Sequence, residues 1–249
     1  MSATTKKKSD GSVWETVSVV VQALLLALVL RSFLFQPFNI PSGSMKPTLL
    51  VGDYIFVSKY SYGYSKHSFP LSPDIFDGRV WQGDGPERGD VVVFKFPPDP
   101  SLDYIKRVIG VPGDTVQLRD GVLYLNGNAV PRVASGEFRE VTAGGRAVTV
   151  PVYRETLPNG VTYDTLDLSE NSVADNTSEF VVPEDRYFML GDNRDSSADS
   201  RFGVGFVPAE NLVGKAQIIF MSVSDDASAW QFWRWPSVLR TGRLFNSVD

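Results

Sequence analysis

The sequence predicts a mainly β protein, with an N-terminal transmembrane helix, an antiparallel β-barrel-like core and an inserted smaller β domain. One long apolar stretch, residues 13–35, lies near the N-terminus. Beyond residue 36, short β-branched and aromatic runs alternate with Gly, Pro and Asp turns, and helical periodicity is rare. Glycine (21) and proline (16) are plentiful in 249 residues. These features together favour turn-rich antiparallel structure outside one apolar helix.

The apolar stretch is long enough to span a bilayer, which takes about 20 residues. A transmembrane anchor is therefore favoured over two alternatives, a cleaved signal peptide and a buried core helix. A cleaved signal peptide would end in a small-x-small site, but the residues that follow, Phe33–Pro37, are bulky.

The charges that flank this stretch predict its orientation. Lys6–Lys8 precede it, and Arg31 is the cation close to its far end. The positive-inside rule then places residues 1–12 in the cytoplasm and the chain from residue 36 outside. The bias is modest, because two acidic residues also lie on the inner side.

Candidate strands follow the anchor, each a short apolar or alternating run bounded by turn residues. They are Tyr54–Lys59, Asp90–Phe96, Tyr104–Gly110, Thr115–Arg119, Val122–Leu125, Glu140–Val150, Arg186–Leu190 and Gly214–Val223. Asp120-Gly121 separates two of them and is a strong hairpin signal.

The composition divides the outer part into three regions. Residues 36–125 and 184–224 carry most of the candidate strands and form the predicted core. Residues 126–183 are polar and irregular, and we expect them to form an inserted second lobe. Residues 225–249 form a tail.

The tail is rich in aromatic and basic side chains. They are Trp230, Phe232, Trp233 and Trp235, with Arg234, Arg240 and Arg243. Such residues occur where a segment lies in a membrane interface. Packing of the rings on the core is an equally open alternative.

The overall composition excludes several functional classes. The net charge of −5 argues against a nucleic-acid partner, which requires a basic surface. Cysteine is absent, so disulfides, thiol nucleophiles and cysteine-ligated metals are excluded. The single histidine, His67, excludes poly-histidine metal sites, and any Ser-His-Asp triad would depend on it.

A candidate serine nucleophile, Ser44, follows the anchor in the segment Ile40–Leu49. A Ser-Gly-Ser triplet alone is weak evidence, because most such triplets are turns. Here Pro41 and Pro47 stiffen the loop, and Gly43 allows close backbone approach. This geometry suits a nucleophile beside an oxyanion hole.

A serine nucleophile needs a base, and Lys106 is a better candidate than His67, which lies in a poorly patterned loop. Lys106 and Arg107 are adjacent on an apolar strand and point to opposite faces, so they cannot share a role. A lysine acts as a base only when desolvation lowers its pKa from about 10.4. Taken alone, a strand lysine is more often solvated.

A third motif, Gly191–Gly203, alternates charges in a way that suggests ion pairs within a loop. The pattern of a calcium-binding loop does not fit. Arg194 occupies its third position, the sixth position is not glycine, and no glutamate closes the loop.

Three segments in order, Phe38–Val57, Gly89–Val116 and Tyr187–Gly214, together resemble bacterial type I signal peptidase, also called leader peptidase. The resemblance implies a membrane-bound serine protease with a Ser/Lys dyad in an antiparallel β catalytic core. It implies removal of signal peptides from exported preproteins after small-x-small sites such as Ala-x-Ala.

The resemblance also implies roles for individual residues. Ser44 would be the nucleophile and Lys106 the general base. The Ser42 hydroxyl and the Ser44 N–H would form the oxyanion hole. Ser197 would orient Lys106. Structural support would come from Arg107, Asp192, Arg194, Asp199 and Arg201. Substrate pockets would be formed by Phe38, Ile40, Pro41, Tyr104 and Ile105.

No metal or organic cofactor is implied. The implied partners are preprotein signal peptides and membrane lipid, with the export translocon as a further candidate and no nucleic acid. The implied location is the bacterial cytoplasmic (inner) membrane, single-pass, with the catalytic domain on the periplasmic side.

The chain departs from the family pattern in two ways. It has one anchor where some members have two, and Lys46 stands where many carry an apolar residue. That lysine would lower the pKa of Lys106 only if its charge reached it.

Three alternatives remain. A Ser/Lys self-cleaving repressor carries a DNA-binding domain and lacks an anchor, so it fits poorly. A pilus-transfer peptidase fits by motif. A non-catalytic anchored β module would not react with a serine-directed acylating probe.

Overall fold

The computed structural model describes residues 11–74, 76–81, 83, 85–141, 147–169, 172–224 and 230–248. Most of the predicted cytoplasmic segment, including its lysine triplet, therefore lies outside the described residues.

The apolar stretch forms one helix, α1 (Gly11–Phe33). Residues Val13–Phe33 have a mean hydropathy of 2.1, and no residue of the most apolar 18-residue window is buried inside the fold. At 1.5 Å per residue, its 23 residues reach about 34 Å, enough to cross a hydrocarbon core of about 30 Å. An apolar helix exposed all round does not fit the buried core alternative. The helix ends two residues before the predicted segment does, because Phe35 begins a strand.

Fourteen strands are present in the described ranges, in three antiparallel sheets. They are β1 (Phe35–Asn39), β2 (Asp53–Ser58), β3 (Val91–Lys95), β4 (Asp103–Gly110), β5 (Thr115–Arg119), β6 (Val122–Leu125), β7 (Asn128–Ala129), β8 (Arg132–Val141), β9 (Ala147–Thr156), β10 (Thr162–Leu166), β11 (Phe180–Val181), β12 (Arg186–Leu190), β13 (Val207–Pro208) and β14 (Leu212–Ser222). A short helix, α2 (Trp235–Val238), lies in the tail. This architecture confirms the predicted mainly β, antiparallel class.

The largest sheet has seven strands in the order β1-β2-β14-β3-β4-β12-β13. Its central strand β3 is apolar on both faces, because Val91 and Val93 pack into one core cluster while Val92 and Phe94 pack into another. A strand buried on both sides reads as a continuous apolar run. The edge strand β1 contains Pro37, which edge positions tolerate because no ladder hydrogen bond is lost there.

The hairpin prediction at Asp120-Gly121 is confirmed. β5 and β6 pair on either side of it, and both turn residues have positive φ, 48° and 73°. These values match a two-residue turn that fits the twist of the flanking strands. β5 and β6 lie in a four-stranded sheet with β7 and β11.

One predicted strand is wrong. Glu140–Val150 was expected to be continuous, but β8 ends at Val141 and β9 begins at Ala147. Two adjacent glycines, Gly144 and Gly145, are a turn signal in this sequence that outweighs the apolar residues around them. Residues 142–146 lie outside the described residues.

The predicted inserted β domain contains a regular three-stranded sheet, in the order β10-β9-β8, in a region whose sequence is polar and irregular. Val150, Val152 and Leu166 form a small apolar cluster on it, whereas Tyr163 packs into the cluster shared with the four-stranded sheet. Polar residues, among them the buried Glu155, interrupt its apolar pattern, so most of its strands were not predicted.

Candidate active site

The loop that carries Ser44 connects β1 to β2 and is held by its apolar residues. Ile40, Met45 and Leu49 are buried in the same core cluster as Ile105 of β4. The Ile40 N–H donates to the carbonyl of Asp53 at 2.8 Å, which closes the base of the loop. The serine thus lies between buried anchors, beside the strand that carries Lys106.

The structure brings Ser44 and Lys106 together, 62 residues apart in sequence. The Nζ of Lys106 lies 2.7 Å from the Oγ of Ser44 and donates to the Ile105 carbonyl at 2.8 Å. Lys106 is 4% exposed and Ser44 is 8% exposed. The pair is therefore shielded from water and within proton-transfer distance.

Burial lowers the pKa of Lys106 to about 8, although the carboxylates of Asp199 and Asp192 act in the opposite direction. An ammonium loses hydration when it leaves water, so the neutral amine becomes easier to form. Lys46, which forms an ion pair with Glu140 at 2.8 Å, is not among the charges that shift this pKa.

Ser42 and the Ser44 backbone border the space in front of the nucleophile. The two hydroxyl oxygens are 3.5 Å apart. Among the described residues, the Ser44 N–H has no acceptor, so it is available to an incoming oxygen. Asn193 holds the loop from behind: its Nδ2 donates to the Gly43 carbonyl and its N–H to the Ser44 carbonyl, both at 3.1 Å.

Asn193 is a site residue that the sequence reading missed. It lies inside the third motif, where the alternating charges of its neighbours suggested ion pairs within the loop and gave no role to the amide. Only the folded loop shows that its amide reaches the serine loop.

A cavity of about 410 Å³ opens onto the pair. It is lined by Pro41, Ser42, Gly43, Ser44, Asp103, Tyr104, Ile105, Lys106, Ser196 and Ala198. Three of the five predicted pocket residues are therefore present. Phe38 lines a neighbouring cavity instead, and Ile40 is 3% exposed within the core.

Arg107 points away from Lys106, as the strand alternation predicts. It forms a fully buried ion pair with Asp192, through Nε and Nη2, both at 2.8 Å. Its Nη1 donates to the Gly89 carbonyl at 2.7 Å, and Thr48 donates to Asp192 at 2.5 Å. This pair fastens β4 to the third motif.

The third motif contains one internal ion pair rather than several. Arg201 and Asp199 bond at 2.8 and 2.9 Å, and Asp199 also accepts from the Gly191 N–H at 3.1 Å. Arg194 pairs instead with Glu155 of β9. The loop is thus shaped by partners on other elements as well as by its own charges.

Glu155 and Tyr163 are further residues that the sequence reading missed. Tyr163 donates to Glu155 at 2.7 Å, and the Arg107 guanidinium lies 4.4 Å from the Tyr163 ring centre. Both come from the three-stranded sheet, distant in sequence from the three motifs. A buried network therefore links this sheet to the strand of Lys106.

Ser197 differs from its expected role. Its Oγ is buried and has no hydrogen-bond partner among the described residues, so the expected bond to Lys106 is absent. The side chain lies against Gly191, where a Cβ would overlap Ser197 Oγ and the Ser44 carbonyl. Gly191 is thus required for close packing behind the serine loop.

His67 is separate from this site. Its Nδ1 lies 3.1 Å from the Oγ of Ser72, and it lines a different cavity from Ser44. Within the described ranges, one group could hold a metal ion: Asp167, Asp175 and Asp195, with oxygens within 4.8 Å of one another. None of these three lines the cavity at Ser44.

The chain is similar to known signal peptidases over most of its length. The family description "Signal peptidase, peptidase S26" matches residues 13–221. Signal peptidase I of Rickettsia typhi is 46% identical over 86% of this chain and 83% of its own length. That of Rickettsia prowazekii is 47% identical over 80% and 76%. A solved signal peptidase I from Enterococcus faecalis is 32% identical, covers 53% of this chain and 97% of its own, and has a TM-score of 0.32.

Proposed function

Because the chain belongs to the signal peptidase family, peptidase S26, whose members are serine endopeptidases that remove signal peptides from preproteins, we propose that it cleaves with a Ser44–Lys106 dyad. The observation that carries this proposal is the 2.7 Å contact between Lys106 Nζ and Ser44 Oγ in a buried setting. The pilus-transfer alternative has the same dyad chemistry and differs in its substrates.

The first step is acylation. Neutral Lys106 accepts the hydroxyl proton of Ser44 as the serine oxygen bonds to the scissile carbonyl carbon. The lysine then donates that proton to the departing amine of the mature protein. A water then gives a proton to Lys106 and attacks the acyl-enzyme carbonyl. As the bond to Ser44 Oγ breaks and the signal peptide is released, Lys106 returns that proton to the serine oxygen.

The oxyanion of each tetrahedral intermediate accepts hydrogen bonds from the Ser42 hydroxyl and the Ser44 N–H. A loop held by Asn193 and buried anchors keeps these donors in place before the substrate arrives, which is the source of their catalytic effect. Loss of one such donor commonly costs about 10²–10³ in rate.

The substrate adds as an extended strand. The first half of β4, Asp103–Lys106, pairs with β3 on one side, while β12 begins to pair only at Arg107. β1 also has one unpaired edge. Backbone groups along these edges support binding by strand addition, and the cavity at Tyr104 and Ile105 selects small side chains, as in Ala-x-Ala sites.

The enzyme is anchored by α1, and we place the catalytic domain on the periplasmic side of the bacterial inner membrane. A signal peptide held in that membrane then presents its cleavage site beside the anchored domain. Membrane lipid and the export translocon are the proposed partners at this surface.

The aromatic tail supports a lipid contact. Trp230 and Phe232 are each 68% exposed, and Trp233 is 58% exposed. Arg243 turns inward and pairs with Asp53, which fixes the tail to the core, while three of the four rings are exposed and Trp235 is half-buried. The exposed rings favour the interfacial interpretation over packing.

The deciding experiment is cleavage of a preprotein with an Ala-x-Ala site by the full chain in detergent. Ser44→Ala and Lys106→Ala should each abolish cleavage, while His67→Ala should cleave. Normal cleavage by Lys106→Ala would show that the base is another group. An inert wild type, unlabelled by a serine-directed acylating probe, would favour the binding module.

A further inference from the structure

A second cavity, of about 300 Å³, lies at the end of α1 that meets the β domain. Its lining includes Arg31 from the last turn of α1, His67 from the loop after β2 and Lys95 at the end of β3. It is distinct from the cavity at Ser44, although Asp103 borders both.

Positive charge exceeds negative charge in and beside this cavity. Lys95 is neutralised by Asp103 at 2.9 Å, and Asp103 is the one acid of the lining. Among the described residues, Arg31 has no side-chain hydrogen bond or ion pair. Lys59, 1% exposed, donates to the Ser68 carbonyl and has no ion pair in the described part of the chain.

The cations of this region oppose one another. Burial, and then the nearby Arg31, lower the pKa of Lys59 to about 8. Burial, and then Lys66 and Lys95, lower the pKa of His67. Cations that destabilise each other's charged forms indicate a positive potential that an anion would relieve.

The rim of the cavity faces the membrane end of the anchor. The ring of Phe69 packs on Phe33, the last residue of α1, with centres 5.6 Å apart. The Tyr64 hydroxyl donates to the Phe33 carbonyl at 2.7 Å. Leu71, beside Phe69, is fully exposed and has a positive φ of 65°. An apolar side chain this exposed gains free energy when it enters an apolar phase.

We propose that this cavity binds the phosphate headgroup of an anionic phospholipid, with Arg31 as its principal cation and Leu71 inserted among the acyl chains. A lipid rather than a soluble phosphate is the occupant, because the cavity lies where α1 leaves the bilayer. The proposal depends on α1 spanning a membrane and is independent of the Ser44–Lys106 chemistry.

The test is native mass spectrometry of the full chain in detergent micelles titrated with phosphatidylglycerol or phosphatidylcholine. Wild type should retain one phosphatidylglycerol in preference to phosphatidylcholine. Arg31→Gln should weaken this binding about fivefold, the effect of one surface cation on an anionic lipid. Arg119→Gln removes another exposed cation, which stacks on Tyr124 in a different sheet, and should leave binding unchanged.

Equal phosphatidylglycerol binding by Arg31→Gln and Arg119→Gln would overturn the site. Binding of inorganic phosphate or glycerol phosphate as tight as that of the lipid would overturn the membrane assignment. Displacement of the lipid by a signal peptide would place the cavity in the substrate path instead. Leu71→Ser is the second variant if Arg31→Gln does not fold: it should weaken lipid retention, and unchanged retention would count against the proposal.

Discussion

Lys106 and Lys59 share a property but differ in surroundings. Burial lowers the pKa of each to about 8. Lys106 contacts the Ser44 hydroxyl, whereas Lys59 donates to the carbonyl of Ser68. A lowered pKa by itself therefore does not identify a catalytic base, and the contact with a nucleophile is what distinguishes Lys106.

The pH dependence of cleavage tests this distinction at the residue scale. Since the base must be neutral, the rate should rise with pH and level off above an apparent pKa of about 8. Lys59→Met should keep that ascending limb at the same pH, whatever its effect on the rate, and Lys106→Met should be inactive. If Lys59→Met lost the ascending limb, the pH profile would reflect the titration of Lys59 and not that of Lys106.

Gly191 gives a second prediction at this scale. In Gly191→Ala, the new Cβ would overlap the Ser197 hydroxyl and the Ser44 carbonyl, and the serine loop would have to move. We expect kcat to fall about 100-fold, because small displacements of positioned groups have effects of that size.

Gly203→Ala is the matched control, because a Cβ there meets nothing within 4 Å in the same motif. Similar kcat values for the two alanine variants would contradict the close-packing argument. Cleavage kinetics and thermal unfolding, measured together, separate a moved loop from an unfolded chain.

At the scale of elements, the three-stranded sheet supports the catalytic strand through buried charge. Arg194 and Glu155 pair with side chains 6% and 1% exposed, and Tyr163 of the same sheet stacks on Arg107. The neighbouring Arg154–Asp164 pair joins β9 and β10 on the surface, at 53% and 32% exposure. The two pairs therefore differ mainly in burial.

Glu155→Gln should lower the free energy of unfolding by about 3–5 kcal/mol, because it leaves a buried arginine without its counter-charge. Asp164→Asn removes one charge from the exposed pair and should change the free energy of unfolding by less than about 1 kcal/mol. Chemical denaturation of both variants in detergent gives the comparison. Equal losses would mean that burial does not govern these pairs.

At the scale of the whole molecule, three features lie outside the core: α1, the cationic cavity at its end, and the aromatic tail. Each of them carries large apolar side chains that are exposed, such as Leu25, Leu71 and Trp230. A membrane would cover all three, and this would hold the cavity at Ser44 beside the bilayer that retains the signal peptide.

The tail prediction is tested by quenching of tryptophan fluorescence in proteoliposomes of the full chain. In a variant with Trp14→Phe and Trp81→Phe, the three tail tryptophans, 230, 233 and 235, are the remaining fluorophores. Lipids brominated near the headgroup should quench them strongly. Emission unaffected by brominated lipid would show that the tail stays in water.

The sequence by itself determined the fold class, the anchor and the residues of the proposed dyad. Periodicity and turn signals are local properties, so α1 and seven of the eight candidate strands were correctly predicted in type and approximate position. The three motifs, taken in order, indicated the family. Strand alternation also predicted that Lys106 and Arg107 point to opposite faces of the strand.

Only the tertiary structure decided which groups meet across long sequence separations. The roles of Asn193, Glu155 and Tyr163, the missing partner of Ser197 and the core position of Ile40 all depend on how distant strands are packed. Most strands of the β8–β10 sheet were also not predicted, because polar residues, among them the buried Glu155, interrupt its apolar pattern. Burial and contact are properties of the assembled sheets, and local sequence encodes them only in part.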